Sequence, residues 1–560
     1  MGSGPRWLLI VALVVLGIGE IAWQSFQAMA RFRADMQSAA LRYRTQEQQH
    51  RANFRPLPGT RPHLFTRDEA NAFLDRAKQA EAITDPLQRC LAYPDPPGSH
   101  WSADTVSAYC HYRFQHVITF AEVQQLIQDG HAAEVDKRFN AILQAQLTDP
   151  QARGRLDRAF HQDFNNGSFE IRPTLDAWKR AAPKSAFAWA ASGYAYVAMA
   201  ADARGGQYMS DTPQSNIDAM DRLLAQADTD LRRAIALDPR LTPEYTAMIH
   251  AGGLSLGDKY ALDAARRGHA IAPDDFDIYS EQMWLEQPNW YGSLAAMDRL
   301  AAQAQLLAGK NPMLRMLLSD RPLYEVQRCQ CTTLQQLGAY PAALDHLGLS
   351  GDLRAAGDAA SGSNHPVALI YLSEALRFNP ELDDARTRRV YDLVDFDEPA
   401  WGVADASRMV TADPRNEDPL KARAYAYLVQ SDFTHAEQDY RAASMLAPAD
   451  LQPLAMLGNL YVNQTHDWEK GWAVADQLIK SRPNYPYGWM LRAAIQEHQP
   501  RPGLKDTVAY FEAHFGSKNP TLHKIAVDMH SAMVLQNHSG AKVLAARGKS
   551  AAGKPAALAQ

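Results

Sequence analysis

Gly253-Leu254-Ser255-Leu256-Gly257 has the G-x-S-x-G spacing of a serine nucleophile, in which a sharp strand-to-helix turn presents the hydroxyl to a histidine base. That chemistry needs a strand before the serine. The stretch Pro243 to Ala251 reads instead as a helix, so a hydrolase using Ser255, or a pocket that no motif reveals, is only the alternative function. Cys329-Gln330-Cys331 offers two thiolates without a nearby histidine, an incomplete zinc set, and reads as free thiols. Cys90 and Cys110 bracket a Pro94-Asp95-Pro96-Pro97-Gly98 loop. Joined, they would close a loop worth about 3 kcal/mol in the chain-entropy picture; unjoined, they are two buried thiols. Gly548-Lys549-Ser550 ends like a phosphate loop, but Val543 stands where that loop needs glycine. His514, His523, His530 and His538 lack metal-ligand spacing, and there is no H-E-x-x-H. No catalytic residue, cofactor or metal is expected.

The elements that must carry any function are helices. With 560 residues, 46% apolar and 21% charged, the chain can bury a large core. Its net charge of −6 supplies no basic field for wrapping nucleic acid. A mean hydropathy of −0.37 rules out a polytopic membrane protein.

The first 30 residues differ from the rest. Trp7 to Gly19 is continuously apolar or small, and no Lys or Arg occurs from Trp7 to Ala30. As a helix this stretch reaches roughly 36 Å, enough to cross a bilayer core. Ala28-Met29-Ala30 leaves a cleaved signal peptide as the alternative; the long gap from the apolar run, containing Glu20 and Trp23, favours an anchor. Arg31, Arg33, Arg42 and Arg44 after the span, against Arg6 before it, would keep the body cytoplasmic. A Cys90–Cys110 bond would require an oxidising compartment. The expected location is a bacterial inner membrane, single-pass, with the body on the periplasmic side.

Beyond the anchor, Thr66-Arg67-Asp68-Glu69 is a capping box that opens a helix with apolar face Ala70, Phe73, Leu74 and Ala77. The prolines then reveal a period. Pro380, Pro414 and Pro448 are 34 residues apart, Pro483 follows by 35, and Pro239 and Pro273 are again 34 apart. Leu420, Ala424, Tyr427, Ala436, Tyr440, Ala443 and Pro448 form one unit; Leu454, Leu457, Gly458 and Tyr461 begin the next. Upstream, Trp189, Gly193 and Tyr196 pair with Ala227, Ala234 and Pro239, with an insert at 197–226 that reads either as a loop or as a longer helix pair turning at Gly205-Gly206.

This spacing resembles the tetratricopeptide repeat. The resemblance implies an all-α fold, a right-handed α-solenoid of helix pairs preceded by one transmembrane helix. The block 130–310, with Asp176 to Ser185 and Ala203-Arg204-Gly205, also resembles a bacterial family classed as a domain of unknown function. That family supplies no activity to carry over. The expected divisions are 1–30 anchor, 31–102 juxtamembrane helices and linker, 103–310 an N-terminal helical-repeat domain, 311–365 a degenerate repeat or junction, 366–535 a C-terminal array, and 536–560 a flexible tail.

In such a solenoid the first helices of successive units line a concave surface suited to an extended peptide or a partner's helix. Lys421, Tyr425, Asn459, Asn463, Tyr487 and Met490 are the groove candidates. Lys and Asn would hold a peptide backbone or terminal carboxylate, Tyr and Met an apolar anchor. The expected function is a membrane-anchored scaffold binding a protein or peptide partner, with no nucleic acid and no identified small-molecule substrate. A structural spacer is the remaining alternative. The basic tail (Lys542, Arg547, Lys549, Lys554) would meet an acidic surface or anionic lipid if it binds at all.

Overall fold

Two helices can cross closely only where one of them contributes little side chain, and this chain supplies such positions at repeated intervals. The computed structural model describes residues 64–538 except 330, 500 and 519, and every regular element among them is helical. The expected span Trp7–Ala30 and the tail beyond 538 lie outside these residues. No helix of the described part is long and apolar enough to cross a membrane.

The described chain forms two compact units. The first holds 83–92 and 98–348; the second holds 64–82, 93–97 and the chain from 349 onward. The stretch expected as juxtamembrane helices and linker contributes described residues to both units. Helix α1 (Arg67–Glu81) opens with the capping box of Thr66 and Glu69, and its face Ala70, Phe73, Leu74 and Ala77 is fully buried within the second unit. An apolar stripe of that width cannot stay in water. Tyr93 is buried too, and Asp95 accepts from Arg377 Nη1 at 2.7 Å, so the proline-rich stretch is packed, not a tether.

In the first unit, α2 (Ala103–Phe114) precedes the long pair α3 (Ala186–Arg204) and α4 (Gln214–Leu237). The 197–226 insert is not a surface loop. It lengthens both helices, and the turn starts at Gly205, whose φ of 76° suits glycine. A Cβ on Gly193 would stand 2.6 Å from Leu231 Cγ, so glycine sets how closely α3 and α4 approach. Ahead of the pair, the Trp178 indole and the Ser185 hydroxyl both donate to Asp136 Oδ1, at 3.0 and 2.7 Å. The tryptophan and P-x-S signals thus have a packing role. Next come α5 (Thr242–Ala251), α6 (Asp258–Ile271) and α7 (Phe276–Leu285).

The second unit continues as α8 (Ser350–Ala360), α9 (His365–Phe378), α10 (Asp383–Asp395), α11 (Pro399–Ala412), α12 (Glu417–Val429), α13 (Phe433–Leu446), α14 (Gln452–Asn459), α15 (Trp468–Ser481), α16 (Pro486–His498), α17 (Leu504–Phe515) and α18 (Pro520–His538). Ahead of 366, Gly357 lets α8 cross α9 closely, its Cβ position 2.6 Å from Leu372 Cγ. Regular helical structure continues in α18 to His538. Ala424, Ala436, Ala443 and Gly458 are buried at the crossings; Tyr440 and Tyr461 fill the core between pairs.

One turn contact recurs in both units. Trp189 Nε1 donates to Pro183 O at 3.0 Å, Tyr245 OH to Pro239 O at 2.9 Å, Arg386 Nη2 to Pro380 O at 2.7 Å, and Trp489 Nε1 to Pro483 O at 2.9 Å. Each donor stands six residues after its proline. Three chemically different side chains thus tie the first helix of a pair to the turn that precedes it, which makes the chain a tetratricopeptide-like helical repeat by geometry as well as by period.

The four cysteines are bonded in two pairs. Cys90 Sγ and Cys110 Sγ are 2.00 Å apart. Cys329 and Cys331, expected as free thiols, are also joined: the turn between two helices brings their Cα atoms to 5.2 Å, within disulfide reach.

Candidate functional site

Residues one period apart on α10, α12 and α14 occupy equivalent helix positions. Tyr391 and Tyr425 have ring centroids 5.7 Å apart, and Asn459 occupies the next step of the row. Helices built this way must expose one face of the first helix in each pair, and all six groove candidates keep solvent access. Tyr425 OH donates to Asp395 Oδ1 at 2.7 Å. Burial, then this carboxylate, raises the phenol's pKa.

Lys421 departs from its expected role. Its Nζ lies 2.6 Å from Asp418 Oδ1 and 3.0 Å from Asp450 Oδ2. Burial works against the ammonium, but these two carboxylates outweigh it and raise its pKa. An ammonium held between two carboxylates is already neutralised and does not offer itself to a peptide terminus. Asn463 donates its amide to Asn459 Oδ1. Tyr487 sits beside Tyr485, centroids 5.2 Å apart. Met490 packs against the apolar cluster of Val508, Phe511 and Phe515, which commits it to the end of the array and not to the row of Tyr391 and Tyr425. The row that remains is tyrosine and asparagine, edged by Asp395, Asp418 and Asp450.

Ser255 is not built as a nucleophile. It lies in a wide helical turn, Gly252–Leu256, that continues α5, and its Oγ donates to Asp221 Oδ1 at 2.7 Å. His250 is committed to Glu281 Oε1 at 2.7 Å and stacks on Trp284. The motif's glycines have structural causes: a Cβ on Gly253 would lie 2.3 Å from Trp284 Cζ3, and Gly257 ends the turn at a φ of 94°, which suits glycine.

Two charge clusters escaped the sequence reading. In the second unit, Arg389 has no solvent exposure and donates to Glu81 Oε1 at 2.7 Å, Asp405 Oδ2 at 2.9 Å and Ser373 Oγ at 3.1 Å; Arg386 reaches Asp405 as well. Burial would raise the Glu81 pKa, but Arg389 overrides it and holds the carboxyl below its usual range. In the first unit, Asp157, Asp275 and Asp277 converge. Burial raises the pKa of all three, and the charge of Asp157 pushes those of Asp275 and Asp277 further. The only sequence signal for this second cluster was the run Asp274-Asp275-Phe276-Asp277.

No family model matches the chain, and no curated protein matches it. The resemblance of 130–310 to a bacterial domain of unknown function finds no support there. Among solved structures, the chain is similar to the crystal structure of yeast Tom70, with 12% identity over 76% of this chain and 97% of that one, at a TM-score of 0.32. It is also similar to the tetratricopeptide domain of P58(IPK), with 10% identity over 72% of this chain and all of that one, at a TM-score of 0.21. Likeness this distant adds nothing to the repeat character already visible at the proline turns.

Proposed function

We propose that the chain is a membrane-tethered helical-repeat scaffold whose second unit binds an extended, basic peptide of a partner protein along the first helices α10, α12 and α14. One observation carries this: the solvent-accessible row of Tyr391, Tyr425 and Asn459 is edged by three carboxylates against one ammonium that is already paired. Aromatic faces and carboxylates attract lysine and arginine side chains, and the asparagine amide suits a peptide backbone. Tethering rests on the Trp7–Ala30 stretch, and the periplasmic placement on the Cys90–Cys110 pair. Kinship of 130–310 with the bacterial family of unknown function rests on the Trp178, Ser185 and Arg204 motifs alone.

The test is selection from a randomised peptide library on the purified full-length chain. Enrichment of sequences with Lys or Arg is expected, and Tyr425→Ala with Asn459→Ala should abolish it. Lys421→Ala frees Asp418 and Asp450, so it should tighten binding of a selected basic peptide by roughly two- to fivefold, a surface ion pair's worth of attraction. Enrichment of acidic or terminal-carboxylate motifs, or enrichment unaffected by the double variant, would remove the groove reading.

A further inference from the structure

Carboxylates gather in a protein interior only where something neutralises them. In the first unit, one carboxylate oxygen each from Asp157, Asp275 and Asp277 lies within 4.8 Å of the other two. Asp157 comes from helix Arg155–Asp163; Asp275 caps α7 and Asp277 lies in its first turn. Each carboxylate is oriented by a donor that occupies one oxygen. Thr242 Oγ1 and Gln146 Nε2 donate to Asp157 Oδ2 at 2.6 and 2.9 Å, the Ile278 amide donates to Asp275 Oδ1 at 3.0 Å, and Tyr112 OH on α2 donates to Asp277 Oδ1 at 2.7 Å.

The remaining oxygens are the second, independent observation. Asp157 Oδ1 and Asp277 Oδ2 are enclosed and have no hydrogen-bond partner, and Asp157 is only 3% exposed. Buried acceptors of this kind are rare unless a ligand completes them. Asp275 and Asp277 line a cavity of about 300 Å³ together with Tyr112, Gln146, Gly154 and Thr242, and Asp157 is tied to that wall through Gln146 and Thr242. A Cβ on Gly154, where φ is 63°, would stand 2.8 Å from the Tyr112 ring and 3.3 Å from Asp277 Oδ2, so glycine keeps this corner open. Among the described residues, none of the neighbouring cations forms an ion pair with the three carboxylates, although Arg158, whose Nε has no hydrogen-bond partner, is close enough to attract Asp277. Arg240 is paired with Asp238, and Arg153 lies 3.7 Å from Asp274.

We propose that the first unit binds one calcium-sized divalent cation between Asp157, Asp275 and Asp277, with water from the cavity completing its shell. Ca²⁺ takes oxygen ligands at about 2.3–2.6 Å, so oxygens up to about 5 Å apart can share one ion. Three carboxylates suit calcium better than magnesium, which keeps most of its waters, and an all-oxygen set without His or Cys disfavours zinc. The ion would join helix Arg155–Asp163, α7 and, through Tyr112, α2. This inference is independent of the peptide groove.

Titration of the chelator-treated full-length chain with Ca²⁺, followed calorimetrically and by Tb³⁺ luminescence excited through Tyr112, tests it. One saturable site is expected, with Mg²⁺ weaker. Asp277→Asn should lose it, and Thr242→Ala, which frees Asp157 to turn, should weaken it ~10-fold or more, as supporting residues of metal sites do. Because Asp277→Asn keeps an acceptor oxygen for Tyr112 and removes a buried ionisable group, its metal-free Tm should equal or exceed that of the unaltered chain, which separates lost binding from misfolding. Absence of a saturable Ca²⁺ site, binding unchanged in the Asp157→Asn, Asp277→Asn double variant, or a site that takes an arginine-bearing peptide but no Ca²⁺ would each overturn the proposal.

Discussion

Glu374 shows what a single buried charge does to this protein. It has no solvent exposure, its Oε1 lacks a partner, and its Oε2 accepts from Arg377 Nη1 at 3.2 Å, a donor shared with Asp95. Burial pushes its pKa up to about 8, although Arg377 pulls the other way. The native state therefore holds a proton that the unfolded chain releases near 4.5. Stability from this group is fully present below 4.5 and is lost as pH rises through about 8. Over that window the unfolding free energy should fall by about 1.4 kcal/mol per pH unit on account of Glu374, and Glu374→Gln should remove that slope. Denaturant unfolding of the full-length chain at several pH values measures both; equal slopes in the two proteins would show that Glu374 is already ionised in the folded state.

Among the elements, α1 departs furthest from what its place in the chain suggests. Its existence was legible, since Thr66 and Glu69 announce a capped start and Ala70, Phe73, Leu74 and Ala77 recur at helical spacing. Its destination was not, because Glu81 and Arg389 are separated by 308 residues, and nothing local marks either as the other's partner. The repeat pairs were legible for the opposite reason: a 34-residue period places every small crossing residue and turn proline within one unit of its neighbour. The Asp157 cluster was missed for the same reason as the destination of α1, since one carboxylate lies a long way from the other two, and the partners of Lys421 and Met490, Asp450 and the Phe511 cluster, carry no local mark either. If α1 completes the second unit, the fragment 349–538 leaves Arg389 and Asp405 without Glu81, and breaking a buried pair costs about 3–5 kcal/mol. That fragment should be insoluble or molten alone, and should recover a cooperative thermal transition when coexpressed with residues 64–97. A fully cooperative 349–538 fragment would reduce α1 to an accessory.

At the scale of the whole molecule, if the proposed Trp7–Ala30 anchor spans a bilayer, two physical tendencies pull the body to opposite sides of it. Four arginines follow the Trp7–Ala30 stretch within a short distance, and such charges resist translocation. Cys90 and Cys110 are bonded in the folded first unit, a link that persists only where thiols are not kept reduced. The arginine rule is a bias that long following domains often override, whereas loss of a disulfide closing a loop of this length costs about 3 kcal/mol, a sizeable share of a domain's stability. The second tendency should prevail. In cells, a reporter fused after Gln560 should register the oxidising side of the membrane, and maleimide should label Cys90 and Cys110 only after reduction. Cys90→Ser should then lower the midpoint of first-unit unfolding under oxidising conditions while leaving the reduced protein's midpoint unchanged. A reporter on the reducing side, with both thiols labelled without reductant, would place the body in the cytoplasm, where its first unit must hold together without that link.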